Sequence, residues 1–237
     1  MKKVITVMIM VFSIVTLVGC GSATNNTPPA ESSATDTATV QKTENRILKD
    51  SSDSSSENST SDSGSKILVA YFSRAGENYN VGTVEKGNTQ IMAEMIAEET
   101  GGTLFKVETV TPYPSSYDEC TDVAKQEQND NARPELKEAV DDFDDYDTII
   151  LGFPIWWGDM PMAMYTFLES YDFSGKTVLP FNTHEGSGEA GTTGKIQSAL
   201  PQATALEGLA VQGKTAQEDR NDTMTTIQKW LSQNEIN

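Results

Sequence analysis

Three stretches and one run of carboxylates carry residue types that can do chemistry. In Pro154-Ile155-Trp156-Trp157-Gly158 two indoles stand side by side where proline and glycine end regular structure. Exposed paired tryptophans are costly unless something flat covers them, so the pair points to a planar ligand. Packing under a neighbouring helix is the plain alternative for either indole alone. Ser73-Arg74-Ala75-Gly76, followed after ten residues (Glu77 to Lys86) by Gly87-Asn88-Thr89, sets hydroxyls and free backbone N–H groups at a helix start. A positive dipole end of that kind binds phosphate, although any strand-to-helix turn favours the same residues. Asn182 is followed by Thr183, His184, Glu185, Gly186, Ser187 and Gly188, a second polar, glycine-rich loop that holds the one histidine of the chain. A lone His can be an acid/base catalyst. With no Ser or Cys placed to partner it and no second His to share a metal, it reads as a loop residue near the ligand. Asp141, Asp142, Asp144, Asp145 and Asp147 invite a metal, but their spacing is not that of a calcium loop. The run reads as a solvated turn, and Cys120, in a polar helix-like stretch, as incidental.

The elements that must position these groups alternate strand and helix. Thr148-Ile149-Ile150-Leu151 is apolar and β-branched without alternation, as a strand covered on both faces of a parallel sheet reads. Lys66 to Phe72, Thr103 to Val107, Thr177 to Phe181 and Ala205 to Val211 supply four more strands. Asn88 and Thr89 are expected to cap a helix carrying Ile91, Met92, Met95 and Ile96 on one face. Further helices are expected at Tyr117 to Gln128, from Pro134 through Leu136 and Val140, at Met160 to Leu168 and at Gly194 to Leu200. A capping box, Thr215 to Glu218, should open the last helix, with Met224, Ile227, Trp230 and Leu231 at core spacing. The chemistry-bearing loops then follow strands one, three and four along one carboxyl edge, where open α/β sheets collect ligands. The ten-residue insertion is longer than an ordinary turn; it either folds over the ligand or hangs aside as a flap.

Residues 1–20 stand apart from this domain. Lys2 and Lys3 precede fifteen mostly apolar residues and then Leu17-Val18-Gly19-Cys20, a secretion signal. The apolar run is shorter than the ~20 residues a spanning helix needs. Its last four residues resemble the lipobox of bacterial lipoproteins, which implies lipidation at Cys20 and anchoring in a membrane outside the cytoplasm. With Cys20 so occupied, Cys120 has no disulfide partner in its own chain. Residues 21–65 are Ser, Thr, Asn and Asp-rich and bury too little surface to order, so they form a disordered linker. Residues 66–237 hold twelve Lys and Arg against twenty-eight Asp and Glu. That balance excludes nucleic acid as a natural partner.

Tyr71-Phe72-Ser73-Arg74-Ala75-Gly76 with Gly87-Asn88-Thr89, then Gly152-Phe153-Pro154-Ile155-Trp156-Trp157-Gly158, then Pro180 to Gly188 and Leu206 to Val211 resemble the flavodoxin family, over essentially all of residues 66–237. The resemblance implies a doubly wound five-stranded parallel sheet, order 2-1-3-4-5, with helices on both faces and FMN as cofactor. It assigns Ser73, Arg74, Ala75, Gly76, Asn88 and Thr89 to the FMN phosphate, Pro154 to Gly158 to one side of the flavin ring and Thr183 to Gly188 to the other. Flavodoxins shuttle electrons, so the expected function is an FMN-binding electron-transfer protein with a redox partner protein or a small-molecule acceptor. The alternatives are an NAD(P)H-dependent FMN reductase acting on quinones or similar acceptors, and a cofactor-free binding protein. No second G-x-G-x-x-G fingerprint is present, which favours the carrier.

Overall fold

The computed structural model describes residues 66–236. The signal at 1–20, Cys20 and the 21–65 linker lie outside the described residues. Five consecutive residues of β1 (Ile67–Tyr71) are all buried, because the strand is covered on both faces. The two-residue period of a strand sends alternate side chains to opposite layers. Leu68, Ala70 and Phe72 join Phe143, Phe167 and Ile196 in one cluster. Ile67, Val69 and Tyr71 join Met92, Ile96, Ile227 and Trp230 in the other.

The main sheet is parallel, in the order β4 (Thr103–Lys106), β1, β5 (Thr148–Pro154), β6 (Thr177–His184), with β7 (Thr204–Ala205) and β8 (Leu209–Gln212) sharing the fifth position. This is the expected order, with the fifth strand broken in two. Ala205 pairs with Val178 and Leu209 with Phe181, so four steps on the outer strand match three on β6. The extra residue is a bulge, and Trp230 Nε1 donates to the Glu207 carbonyl inside it, at 2.9 Å. Gly152 of β5 lies opposite Phe181 of β6. A Cβ at Gly152 would fall inside the Phe181 ring, so only glycine lets that ring lie across the strand.

Helix α1 (Asn88–Thr100) starts one residue earlier than a capping Asn88 implies. Gly87 is its N-cap and no side chain caps it. Asn88 and Thr89 spend their side chains on tertiary contacts instead. α2 (Tyr117–Asp130), α3 (Met162–Glu169) and α4 (Thr192–Ala199) stand within a few residues of expectation. No helix opens at Pro134. Val110 N–H donates to the Glu135 carbonyl and Lys137 N–H to the Glu108 carbonyl, so this backbone is spent on an extended arm. The capping box at Thr215 also fails to open the last helix. α5 (Gly213–Glu218) ends at Asp219, whose side chain accepts from Asp222 N–H and caps α6 (Arg220–Gln233). Buried Ile227, Trp230 and Leu231 take core positions on α6. The insertion folds as a hairpin, β2 (Gly76–Asn78) against β3 (Gly82–Val84), turned by Asn80 and Gly82 at positive φ. The acidic run makes a single 3-10 turn, Phe143–Asp145, into β5.

Candidate functional site

The loops leaving β1, β5 and β6 converge on a cavity of about 310 Å³, a size suited to a small ligand. Arg74, Asn88, Pro154, Ile155, Trp156, Trp157, Gly158, Thr183, His184, Glu185 and Ser187 line it. Of the sequence-assigned residues, Ser73, Ala75, Gly76, Thr89, Gly186 and Gly188 are not on its wall.

The helix-start side is built by close packing. Ser73 Oγ accepts the Gln90 N–H at 3.1 Å. The hydroxyls of Thr89 and Thr183, both buried, meet at 2.7 Å and tie the first turn of α1 to the end of β6. A Cβ on Gly87 would clash with Ser73 Oγ and the Arg74 carbonyl, so glycine is required where the β1 loop meets α1. The sequence reading included both Gly76 and the Gly87-Asn88-Thr89 stretch here; the glycine packed against both Ser73 Oγ and the Arg74 backbone is Gly87. Arg74 reaches sideways: Nη1 donates to the Pro114 and Ser115 carbonyls, each at 2.9 Å, and Nη2 to the Glu77 carbonyl. Its Nε is buried with no acceptor. A buried orphan donor is rare and marks a place for an acceptor.

The tryptophan loop is a tight reversal. Trp156 N–H donates to the Asp159 carbonyl at 2.7 Å and Asp159 N–H returns the bond at 3.0 Å. Between them Trp157 and Gly158 have φ of 52° and 74°, the signs of a type I′ turn. A bulky residue there is strained, and α2 holds it in place. Trp157 Nε1 donates to the Thr121 carbonyl at 3.0 Å and Lys125 Nζ stands 5.1 Å from the ring centre. Trp157 nevertheless remains 54% exposed. Trp156 is half-buried, edge-on to Phe72 and Tyr113 at 5.3 and 5.1 Å. The two indoles therefore divide the alternatives: Trp156 packs, and Trp157 is open. Lys195 Nζ bonds the Gly158 carbonyl at 3.0 Å and pairs with Asp159 at 2.9 Å. Burial first, then Asp159, pushes the Tyr165 phenol up to about 12.

On the third side His184 Nδ1 accepts the Gly186 N–H at 3.0 Å, and burial pushes its pKa down. A neutral imidazole accepting a backbone bond shapes this loop, and His184 also lies on the cavity wall. Glu185 is a tie rod: Oε1 accepts the Lys214 N–H at 3.0 Å and Oε2 accepts from Asn80 Nδ2, in the inserted hairpin, at 3.3 Å.

Sequence reasoning missed one whole wall of the cavity. Tyr117, Cys120, Thr121 and Ala124 line it, together with Asn78 and Tyr79 of the hairpin. The helical four are spaced i, i+3, i+4 and i+7, so they share one face of α2, and that spacing was the available signal. Burial pushes the Cys120 thiol up, which leaves it protonated and a poor nucleophile. The insertion is not a free flap but folds over the cavity. Glu77 N–H donates to the Ser115 carbonyl, Glu77 Oε2 accepts the Tyr117 N–H at 3.0 Å, and Tyr79 stacks on Tyr117 at 6.0 Å. Among the described residues no cluster of His, Cys, Asp and Glu is placed to hold a metal. A glycine-lined helix start, an unpaired buried guanidinium N–H and an open indole suit a planar group that carries a phosphate.

Residues 66–232 match the flavodoxin family model. No curated protein matches the chain. Among solved structures, a flavoprotein of Bacteroides eggerthii DSM 20697 is 29% identical with TM-score 0.58, the match covering 73% of this chain and 100% of that one. A flavoprotein of Bacteroides uniformis ATCC 8492 is 30% identical with TM-score 0.57, covering 71% and 99%. A flavoprotein of Lactobacillus acidophilus NCFM, solved in complex with FMN, shares the fold at 22% identity and TM-score 0.51, covering 65% and 98%.

Proposed function

The chain belongs to the flavodoxin family, and from that premise we propose that it is an FMN-binding electron-transfer protein tethered outside the cytoplasm. FMN is the cofactor. The observation that carries the reading is the convergence of the β1, β5 and β6 loops and the start of α1 on one cavity lined by Arg74, Asn88 and the open Trp157 ring.

The flavin supplies the redox chemistry, and the chain supplies the setting. Asn88 at the start of α1, with Arg74, would receive the phosphate. Trp157 offers a flat face to the ring. Lys195 fixes the Gly158 carbonyl, and with it the orientation of the peptide beside the ring. Asp159, Glu185 and the acidic domain add negative charge, which opposes the gain of electrons and holds the potential low.

Reconstitution tests the reading. The full chain mixed with FMN should turn yellow and hold the flavin through gel filtration. Stepwise anaerobic reduction, followed in the visible spectrum, should show two separated one-electron steps. Retention of flavin with a single two-electron step would instead support the second reading, a reductase acting on small acceptors, and turnover with NAD(P)H as sole donor would support it further. A colourless protein would overturn both. What favours the second reading is the exposed aromatic wall at the cavity mouth.

A further inference from the structure

A second cavity, of about 450 Å³, shares no wall residue with the one described above. It opens on a different face of α2: Cys120, Thr121 and Ala124 line the flavin cavity, whereas Val123 and Glu127, one turn apart, line this one. The loop after β4 and the start of the extended arm at Pro134 complete its wall. The volume is in the range of small-molecule sites.

Its chemistry is an apolar rim around a carboxylate that lacks a countercharge. Val110 and Val123 are 52% and 38% exposed, and Pro112 and Pro114 stand with them. Glu127 is half-buried and accepts the Tyr113 hydroxyl at 2.7 Å, a neutral partner. Burial pushes its carboxyl up, and among the described residues no Lys or Arg pairs with it. Arg133 is the one Lys or Arg among the described residues of this wall, and it is already spent. Its Nε and Nη2 fork onto Glu169 at 2.8 and 2.7 Å, and Nη1 bonds Asn131 and the Ala132 carbonyl. Glu135 adds a second negative charge at the wall.

These groups narrow the ligand. An anion meets two carboxylates and no free cation, and a neutral molecule leaves Glu127 uncompensated. Among the described residues no group of three His, Cys, Asp or Glu stands ready for a metal ion. A cation that brings its own apolar body answers both the charge and the rim.

We propose that this second cavity binds a small organic ammonium, a protonated alkylamine whose charge pairs with Glu127 and whose chain covers Val110 and Val123. The site is independent of the flavin reading. The two cavities meet at Tyr113, whose hydroxyl holds Glu127 while its ring stands edge-on to Trp156 at 5.1 Å.

Calorimetric titration of n-pentylammonium chloride into the full chain, with and without FMN, tests this. The expected result is one saturable site per chain, of the same affinity in both states. 1-Pentanol, of similar length and uncharged, should bind at least about tenfold more weakly. Glu127→Gln keeps the shape and an acceptor for Tyr113, and should weaken the amine about tenfold. Val123→Lys, at an exposed position four residues before Glu127, sets an ammonium of the chain's own beside the carboxylate and should weaken it as much. No saturable site, equal binding of pentanol, or affinity unchanged by either substitution overturns the proposal. Displacement of the amine by FMN would put it in the flavin cavity and overturn the proposal as well. Nα-acetyl-lysine methylamide binding as tightly as the free amine would make this a receptor for a partner protein's lysine side chain, and would overturn the small-molecule assignment.

Discussion

Gly152 and His184 show how single residues set this site. At Gly152 a methyl group has no room, because the Phe181 ring lies across the strand. Gly152→Ala should cost about 1–3 kcal/mol, read as a lower urea midpoint with an unchanged slope. His184 makes a different prediction. Burial lowers its folded pKa below the ordinary value of 6.5, and protonation of Nδ1 would break the bond from Gly186 N–H. The stability linked to it is present above the unfolded pKa and is lost as pH falls through the folded one. As the chain has one histidine, NMR should show a single imidazole titrating below pH 6.5, and His184→Asn should reduce the loss of stability in that window. Sequence spacing exposed neither constraint. The Thr89–Thr183 bond links positions 94 apart, and no local pattern predicts a pair that the sheet brings together.

Among the elements, the hairpin is the piece that can be removed. Ala75 leads into it and Gly87 leaves it, and Gly87 packs against Ser73 and Arg74. Deleting 76–86 joins Ser73-Arg74-Ala75 directly to Gly87-Asn88-Thr89. The shortened chain should fold and keep FMN affinity within about tenfold, measured by flavin fluorescence quenching, because the segment's bonds run to surface groups on Arg74, Ser115, Tyr117, Glu185, Glu94 and Gln217 rather than into the core. β1 and β5 were legible in the sequence because they are apolar runs without alternation, and the α1 and α6 core faces because Met92, Ile96, Ile227 and Trp230 repeat at helical spacing. The arm after Pro134 was not. Leu136 and Val140 sit at helical spacing, yet the backbone there is drawn away by Glu108 and Val110. The break at Asp219 was legible only in its own cap, Asp219 to Asp222, which competes with the Thr215–Glu218 signal upstream.

Across the whole molecule, stability and charge are separated. The two clusters on either face of the sheet hold the fold. The ion pairs, such as Lys66–Asp145 and Arg220–Glu98, join exposed side chains and are worth little each. The domain is accordingly expected to tolerate changes of its surface charge. The proposed carrier role also needs an address, and we propose that the Lys2, Lys3 and Leu17-to-Cys20 pattern is that address. Cys20→Ser should move the protein from the membrane fraction to the soluble one, checked by fractionation of expressing cells; equal membrane retention would overturn the lipid anchor. The left-handed Trp157 turn has one more consequence. The chain's three indoles occupy three settings: Trp230 is 4% exposed, Trp156 is wedged among rings, and Trp157 is 54% exposed. Acrylamide will therefore extinguish the emission of one indole well before the others. The protein carries its own optical gauge, mounted at the rim of its cavity, for any molecule that comes to rest there.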